Sequence, residues 1–217
     1  MKTLQQAGSE KTAATYRRHG IKGEVFGVSF ADLGKLKKRI KADQPLAEEL
    51  WESANADARI LAAMVADPKT IGKATLESWI QQADYYVLAD YVASAAARTP
   101  FARELMSAWM ESKQEYLRQA GYAMFASMLK DDLGGITDGE CGEFLTVIER
   151  EIHISPNRAR LAMNNALIAI GIYRTELTRP ACEAAARIGV VDVDHGDTAC
   201  KTPEAAAYIA KALARKK

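Results

Sequence analysis

Two long segments of the chain repeat one helical pattern, and this repetition constrains the fold more than any other feature. Residues 50–67 read LWESANADARILAAMVAD, and residues 108–131 read AWMESKQEYLRQAGYAMFASMLKD. In both, a Trp is followed by a Ser, a spacer, an Arg and a helix of small and apolar residues that contains Met. Residues 154–171 carry a weaker version of it. Because a two-helix unit cannot bury its apolar face alone, the pattern predicts stacked repeats.

Helical patterns cover nearly all of the remaining chain. Ser29 precedes FADLGKLKKRI with Asp32 three residues on, which is a capping-box-like helix start. One short stretch, VVDVD at 190–194, has the alternation of a strand. The predicted loops are 19–29, 131–137 and 189–202, and the predicted helices are 3–18, 30–43, 45–53, 55–66, 73–83, 85–97, 100–111, 113–130, 138–151, 156–173, 179–188 and 203–216.

These elements predict an all-α fold, a HEAT- or armadillo-like solenoid of helical repeats with a short irregular C-terminal segment. A compact irregular helix bundle is the alternative that the same helices permit. We expect a single domain over residues 1–217. It would comprise basic N-terminal helices at 1–43, helical repeats at 44–175 and a C-terminal segment at 176–217.

Charge is distributed unevenly along the chain. The net charge is +1, yet residues 1–43 carry ten Lys or Arg against four acidic residues, a balance of +6 that leaves −5 for the remainder. A basic end on a nearly neutral protein favours contact with nucleic acid or phosphate. The alternative is a solvated helix face, since KLKKRIK at 35–41 is also a common surface pattern.

The same composition argues against a membrane protein or a secreted, disulfide-bonded one. No apolar run approaches the roughly 20 residues that a membrane span needs, and MKTLQQAGSEK lacks the apolar core of a secretory signal. The three cysteines, Cys141, Cys182 and Cys200, are odd in number and widely spaced, which indicates reduced thiols. We therefore expect a cytoplasmic protein.

Arginines recur at equivalent places in the repeats. Arg59, Arg118 and Arg160 are separated by 59 and 42 residues. On the helices that line a curved array, such guanidinium groups would project toward one concave face, where each can fork onto a phosphate. The alternative is that Arg59 and Arg118 pair with Glu52 and Glu111 and hold the repeats together.

Four blocks in this order carry a resemblance to a known family: VFGVSFADLGKLKKRI, AEELWESANADARILAAMVADP, SWIQQAD and YLRQAGYAMFASMLK. They resemble the bacterial AlkD-like DNA alkylation repair family of HEAT-like alkylpurine DNA glycosylases, over roughly residues 10–175. The C-terminal VVDVDHGDTACKTPEAAAYIAKA resembles the corresponding segment of a subgroup of that family.

The resemblance implies an α-solenoid that cradles duplex DNA, alkylated or not, acts as a monomer and needs no cofactor. Characterised members of the family excise cationic N3- or N7-alkylated purines. Such a base leaves without a strong general acid, and a carboxylate beside aromatic faces would stabilise the positive charge that develops on the sugar. The alternative function is a non-catalytic protein that binds damaged, bent or branched DNA.

Carried over by residue, the family's catalytic aspartate corresponds to Asp84, its phosphate-contacting arginine to Arg118 and its N-terminal helix tyrosine to Tyr16. Two expected aromatic positions differ, since Ile80 stands where the family has a second tryptophan and Asn165 stands where a further aromatic is expected. A structural alternative for Asp84 is to cap the helix predicted to start at Tyr85. The residues expected to contact DNA are Tyr16, Arg17, Arg18, Lys38, Arg59, Trp79, Arg118, Arg160 and Asn165.

Two further groups of polar residues have open interpretations. The segment DVDHGDTAC at 192–200 gathers three Asp, one His and one Cys, which suits either a metal site or a turn docked by its own side chains. We predict no metal, because His19 and His153 are isolated and supply no second ligand cluster. Asn164 and Asn165 lie in an apolar helix and either bond to a neighbouring helix or face DNA.

Overall fold

The chain is described by a computed structural model over residues 1–215, and α-helix accounts for most of that range. In these residues the β interactions are limited to one isolated antiparallel bridge, between Gly8 and Val28. Within residues 1–215, no helix combines the length and apolar character that crossing a bilayer requires. The α-helices are α1 (Lys2–Ala7), α2 (Glu10–Arg18), α3 (Phe30–Ile40), α4 (Gln44–Glu52), α5 (Ala56–Val65), α6 (Lys73–Gln81), α7 (Tyr86–Ala96), α8 (Ala102–Glu111), α9 (Glu115–Lys130), α10 (Asp138–Glu151), α11 (Asn157–Tyr173), α12 (Thr178–Ile188) and α13 (Ala205–Ala214).

The helices belong to two compact units. Unit 1 comprises Met1–Phe101 and His195–Ala199 and holds α1 to α7. Unit 2 comprises Ala102–Asp194 and the segment that begins at Cys200, and it holds α8 to α13. In unit 1, α5 packs on α3, α4 and α7, while in unit 2, α9 packs on α8 and α11. Consecutive helices therefore bury one another's apolar faces within each unit, as the repeat pattern predicts.

Small residues let the helices of unit 2 pack closely. A Cβ atom added at Gly121 of α9 would lie 2.4 Å from the backbone nitrogen of Met110 in α8. At Gly171 of α11, an added Cβ would lie 2.5 Å from the side chain of Ile209 in α13. These contacts explain why glycine stands inside two helices, where it otherwise lowers stability relative to alanine.

Most predicted helices are present with boundaries shifted by a few residues, and the Ser29 cap is confirmed because its hydroxyl accepts the Asp32 amide at 3.2 Å. The predicted helix 3–18 is wrong in one respect, since it is broken between α1 and α2. Gly8 forms the bridge to Val28, and the Ser9 hydroxyl caps α2 by accepting the Thr12 amide at 3.3 Å.

The predicted strand at 190–194 is wrong. Its alternation is real, because Val191 and Val193 are buried while Asp192 and Asp194 are exposed. The segment pairs with no strand among the described residues and docks instead on side chains, with Asn157 donating to and accepting from the Asp194 backbone at 2.8 and 2.7 Å. The alternating burial arises because an extended segment lies on helices. Alternation in the sequence alone does not distinguish such a segment from a strand of a sheet.

Candidate nucleic-acid interface

The basic N-terminal charge is displayed on the surfaces of α2 and α3. On α2, Ala13 and Tyr16 face the core, while Arg17 and Arg18 are exposed. On α3 the amphipathic pattern buries Leu33 and leaves the cations of the last turns exposed. Two of these cations have acidic partners, Arg17 with Glu10 at 2.6 Å and Lys35 with Asp32 at 2.7 Å.

The remaining cations of α3 form what we call the α3 basic surface, which consists of Lys37, Lys38 and Arg39. All three side chains are exposed, and none has an acidic partner within residues 1–215. The sequence predicts Lys38 as a DNA contact. In the structure Lys38 lies on the same surface as Lys37 and Arg39, two cations that the resemblance to the family does not single out. Unpaired, exposed cations of this kind are available to phosphates.

A buried carboxylate holds the loop between α2 and α3. Asp57, on α5, has no exposed surface and accepts three backbone hydrogen bonds, from Phe26 at 2.7 Å and from Gly27 and Val28 at 3.0 Å. Burial raises the pKa of this carboxyl, against the lowering effect of the three amides. Sequence reasoning missed Asp57, although a lone acid at the start of an apolar helix was the available signal.

Tyr16 supports the same loop from the side of α2. Its hydroxyl donates to the Val28 carbonyl at 2.8 Å. Burial and the nearby Asp57 charge raise the pKa of Tyr16 to about 12, so the phenol stays protonated. The residue that the family resemblance assigns to DNA contact therefore has its hydroxyl bonded inside unit 1, and its ring is what remains available to a ligand.

An aromatic cavity of about 310 Å³ opens beside this loop. Its wall includes the rings of Tyr16, Phe30, Tyr85 and Tyr86, with His19 bonded to the Tyr86 hydroxyl at 2.7 Å. The Tyr16 and Phe30 ring centroids lie 5.3 Å apart. Aromatic walls of this kind suit planar or cationic groups, because ring faces carry partial negative charge.

Trp79 is not exposed but stacks on Trp51, with centroids 4.4 Å apart and planes 6° from parallel. The Arg59 guanidinium lies 5.1 Å from the Trp51 ring centroid and donates to the Trp51 carbonyl and to Gln82, both at 3.2 Å. Gln82 also accepts from the Trp51 indole at 3.1 Å. Arg59 is thus positioned by a tryptophan and an amide rather than by Glu52, at the edge of a groove of about 560 Å³.

Asp84 lies on the surface of unit 1, one residue before the residue that caps α7. That capping position is Tyr85, whose side chain makes no capping hydrogen bond, so the interpretation of Asp84 as the cap of a helix starting at Tyr85 is wrong. Ile80, at the position where the family has a second tryptophan, is buried. The Asp84 carboxylate is exposed. The side chains at the two tryptophan positions of the family, Trp79 and Ile80, are both buried and do not reach the surface beside it.

In unit 2, Arg118 is held by Glu151, a carboxylate that also accepts from Arg150. The Arg118 side chain is 12% exposed and lines a cavity of about 380 Å³ together with Tyr122. Arg150 first, and Arg118 second, lower the pKa of Glu151. The partner of Arg118 is therefore Glu151 rather than Glu111, and the arrangement carries two cations on one acid.

The last two predicted contacts of unit 2 differ from one another. Arg160 donates to the carbonyls of Ser155 at 2.9 Å and Asp192 at 2.8 Å, which docks the extended C-terminal segment. Asn165 is exposed and lines a groove of about 500 Å³, whereas the Asn164 amide donates to the Pro203 carbonyl at 2.9 Å. Asn164 thus has a structural role, whereas the exposed Asn165 is available to a ligand.

The segment 192–200 is organised by local hydrogen bonds. The Thr198 hydroxyl donates to the His195 carbonyl at 3.0 Å, and the Thr198 amide donates to the Gly196 carbonyl at 2.8 Å. Over residues 1–215, no group of three or more His, Cys, Asp or Glu side chains is arranged to hold a metal ion. These bonds agree with the docked-turn interpretation of the segment.

Two proteins of Listeria species are similar to this chain over nearly its whole length. The chain is 29% identical to an uncharacterized protein of Listeria monocytogenes over 220 residues, which covers 99% of this chain and 96% of that protein. It is 28% identical to an uncharacterized protein of Listeria innocua over 218 residues, which covers 98% of this chain and 95% of that protein.

A solved structure resembles the whole chain. It is described as one of a new family of proteins related to the HEAT-like repeat DNA glycosylases with affinity for branched DNA structures. The TM-score is 0.90 at 31% identity, and the likeness covers 100% of this chain and 93% of the other. It confirms the predicted all-α, HEAT-like helical-repeat fold.

A protein-family model described as DNA alkylation repair enzyme matches residues 1–209. The match agrees with the resemblance carried by the four sequence blocks and extends beyond them at both ends. The protein therefore belongs to the DNA alkylation repair enzyme family.

Proposed function

We propose that this DNA alkylation repair family protein binds branched or sharply bent DNA through unit 1, at the α3 basic surface and the aromatic cavity. The observation that carries the proposal is that exposed, unpaired cations lie on α3, the helix whose first residue, Phe30, lines an aromatic cavity and is itself exposed. Cations attract phosphates of any sequence, and aromatic faces stack on bases that are not already stacked in a duplex.

The comparison supports the branched form of DNA in particular. The solved structure with a TM-score of 0.90 is described as having affinity for branched DNA structures. A branch point differs from a linear duplex in two ways that matter here: it brings several phosphate backbones close together, and it exposes unstacked bases. The α3 basic surface suits the closely spaced phosphates, and the aromatic cavity suits an unstacked base.

The test is a fluorescence-anisotropy titration of the purified protein with a labelled three-way junction, a linear duplex and a single strand made from the same oligonucleotides. We expect the junction to bind most tightly and its dissociation constant to rise steeply with salt, because counterions released from phosphates drive the binding. Equal affinity for junction and linear duplex would reject the preference, and salt-insensitive binding would reject the phosphate contacts.

Excision of cationic N3- or N7-alkylated purines from duplex DNA is the second candidate function, and the position of Asp84 favours it. The carboxylate is exposed and makes no helix cap, so it is available to stabilise positive charge on a deoxyribose as an alkylated base departs. Because the base already carries a positive charge, the reaction needs water, a carboxylate and no cofactor. Trp79 and Ile80 are buried, so aromatic support for the lesion would have to come from other residues.

Base release from methylated duplex DNA tests this second function directly. We expect 7-methylguanine or 3-methyladenine to be released by the wild type and not by Asp84→Asn, while Glu49→Gln, which removes an exposed carboxylate from α4, retains the activity. If the wild type releases neither base, this candidate is excluded and DNA binding alone remains.

A further inference from the structure

Tyr85, a wall residue of the aromatic cavity of unit 1, carries a buried polar atom that the fold itself does not use. Tyr85 lines the cavity and is 2% exposed, and its hydroxyl has no hydrogen-bond partner among the described residues. A buried hydroxyl without a partner lowers stability, because it has lost its hydrogen bonds to water and gained none in the protein. Such a group in a cavity marks a position where a ligand can supply the missing partner.

The state of this hydroxyl defines what the ligand must present. Burial, and then the negative charge of Asp57, raise the pKa of Tyr85 above its ordinary value. The phenol therefore stays protonated and acts as a hydrogen-bond donor. The matching ligand group is an acceptor such as a carbonyl oxygen or an unprotonated ring nitrogen.

The walls define the shape of the ligand. The cavity volume of about 310 Å³ is at the lower end for small-molecule sites, so it accommodates one ring system rather than a chain of them. Four aromatic rings, those of Tyr16, Phe30, Tyr85 and Tyr86, supply flat apolar surface. A flat heterocycle with acceptors on its edge, which is the chemistry of a nucleobase, fits both the walls and the donor.

The entrance agrees with a base that remains attached to its strand. Phe30 is 42% exposed, so the cavity meets solvent at this ring. Arg17 and Arg18 directly follow Tyr16 on α2 and are exposed. The charge of Asp57 disfavours an anion inside, whereas Arg18, which unlike Arg17 has no acidic partner within residues 1–215, favours phosphates outside.

We propose that the cavity receives one unpaired nucleobase of a branched DNA, which packs against the aromatic walls and accepts a hydrogen bond from the Tyr85 hydroxyl. The inference rests on the proposed function and deepens it, because it names the feature of branched DNA that unit 1 recognises. A base inside a duplex is stacked and paired, but a base at a branch point enters at little cost.

The test compares two three-way junctions, one with a single unpaired 2-aminopurine at the branch point and one with an abasic site there. We expect the wild type to bind the first about tenfold more tightly, because one additional base packs against the aromatic walls, and to change the 2-aminopurine fluorescence. Tyr85→Phe should reduce this preference about fivefold, which is the effect of one hydrogen bond. Tyr91→Phe is the matched control, because that ring stacks on Phe30 at 6.0 Å but does not line the cavity.

The outcomes separate this inference from the proposed function. If the wild type binds both junctions equally, or if Tyr85→Phe keeps the full preference, the cavity proposal fails while junction binding stands. If the wild type binds neither junction, the proposed function fails and this inference fails with it. A titration with free 2-aminopurine nucleoside completes the set: binding of the free nucleoside that Tyr85→Phe weakens, without any junction preference, identifies a small-molecule site and rejects the DNA base.

Discussion

The backbone amide of Val28 donates a hydrogen bond of 3.0 Å to the carboxylate of Asp57, a residue 29 positions away along the chain. The same carboxylate also binds the amides of Phe26 and Gly27, and the Tyr16 hydroxyl binds the Val28 carbonyl. Side chains of α5 and α2 thus hold the loop that separates the two basic helices α2 and α3. The positions of the cations and of the aromatic cavity depend on these bonds.

Replacing Asp57 with Asn should lower the free energy of unfolding by about 2–3 kcal/mol, because an amide offers one oxygen where the carboxylate uses two, and its NH₂ group would face a backbone donor. Urea unfolding followed by circular dichroism measures the change. Asp67→Asn is the control, since the Asp67 side chain accepts a hydrogen bond from the Lys69 amide at 3.0 Å and an Asn side chain keeps that acceptor. Equal losses in the two variants would contradict the special role of Asp57.

Neutralising the α3 basic surface with Lys37→Gln, Lys38→Gln and Arg39→Gln should weaken junction binding and reduce the slope of log affinity against log salt by up to about 3, since each phosphate contact contributes close to one to that slope. Anisotropy titrations over a salt series measure it. A triple variant of exposed lysines in unit 2, with Lys113, Lys201 and Lys211 each changed to Gln, removes the same net charge. A matching loss of slope in that control would show that only net charge matters.

Trp79→Ala should lower the free energy of unfolding by about 3–5 kcal/mol, because it removes a buried ring stacked on Trp51. Trp79→Phe keeps an aromatic ring in the stack and should cost much less. Thermal and urea unfolding give these values. Junction affinity of the folded Trp79→Phe protein should equal that of the wild type, and a large loss of affinity at unchanged stability would show that the tryptophan ring reaches DNA.

Tyr85→Phe should raise the free energy of unfolding of the unliganded protein by about 1 kcal/mol, because it removes a buried hydroxyl that has no partner among the described residues. Tyr16→Phe should change stability in the opposite direction by a similar amount, because it removes a hydroxyl that donates to the Val28 carbonyl at 2.8 Å. Thermal unfolding of the two single variants gives the comparison. A stability loss in Tyr85→Phe would mean that its hydroxyl already has a partner in the free protein.

Acidification should weaken unit 2 through Glu151. Its carboxyl pKa is lowered below the ordinary 4.5 by Arg150 and Arg118, so the stabilisation is present above that ordinary value and is lost as the pH falls through the folded-state pKa. Glu151→Gln should therefore be less stable than the wild type at neutral pH and should lose less stability between about pH 6 and pH 3. Glu143→Gln, on the same helix and exposed, should follow the wild-type curve. Parallel curves for wild type and Glu151→Gln would contradict the ion pair.

Several features of the fold were open to prediction from local sequence. The Ser29 cap, the start of α10 at Asp138 and the apolar faces of the repeats depend on residues within one or two helical turns. The exposed basic face of α3 is likewise local, because period-3.6 placement of Leu33 decides which side turns inward. Local signals failed at Gly8 and Ser9, where the helix break depends on pairing with Val28.

The candidate site was less accessible to sequence reasoning, since its geometry depends on contacts between distant segments. Asp57 was not singled out, because its three donors lie about thirty residues away. The aromatic cavity joins α2, the start of α3 and the start of α7, and no periodicity links those segments. The direction in which Trp79 and Arg59 point was decided by Trp51 and Gln82.

By itself, the amino-acid sequence determined that this chain is all helical, repetitive, basic at its N-terminal end and similar to a DNA alkylation repair family. Tertiary structure alone decided which of the family-like residues are buried, and, in the part of the chain that the structure describes, which cations have no acidic partner and where a tyrosine hydroxyl makes no hydrogen bond. The reason is physical: periodicity and capping act over a few residues, whereas burial and hydrogen-bond pairing depend on which distant side chains the packing brings together.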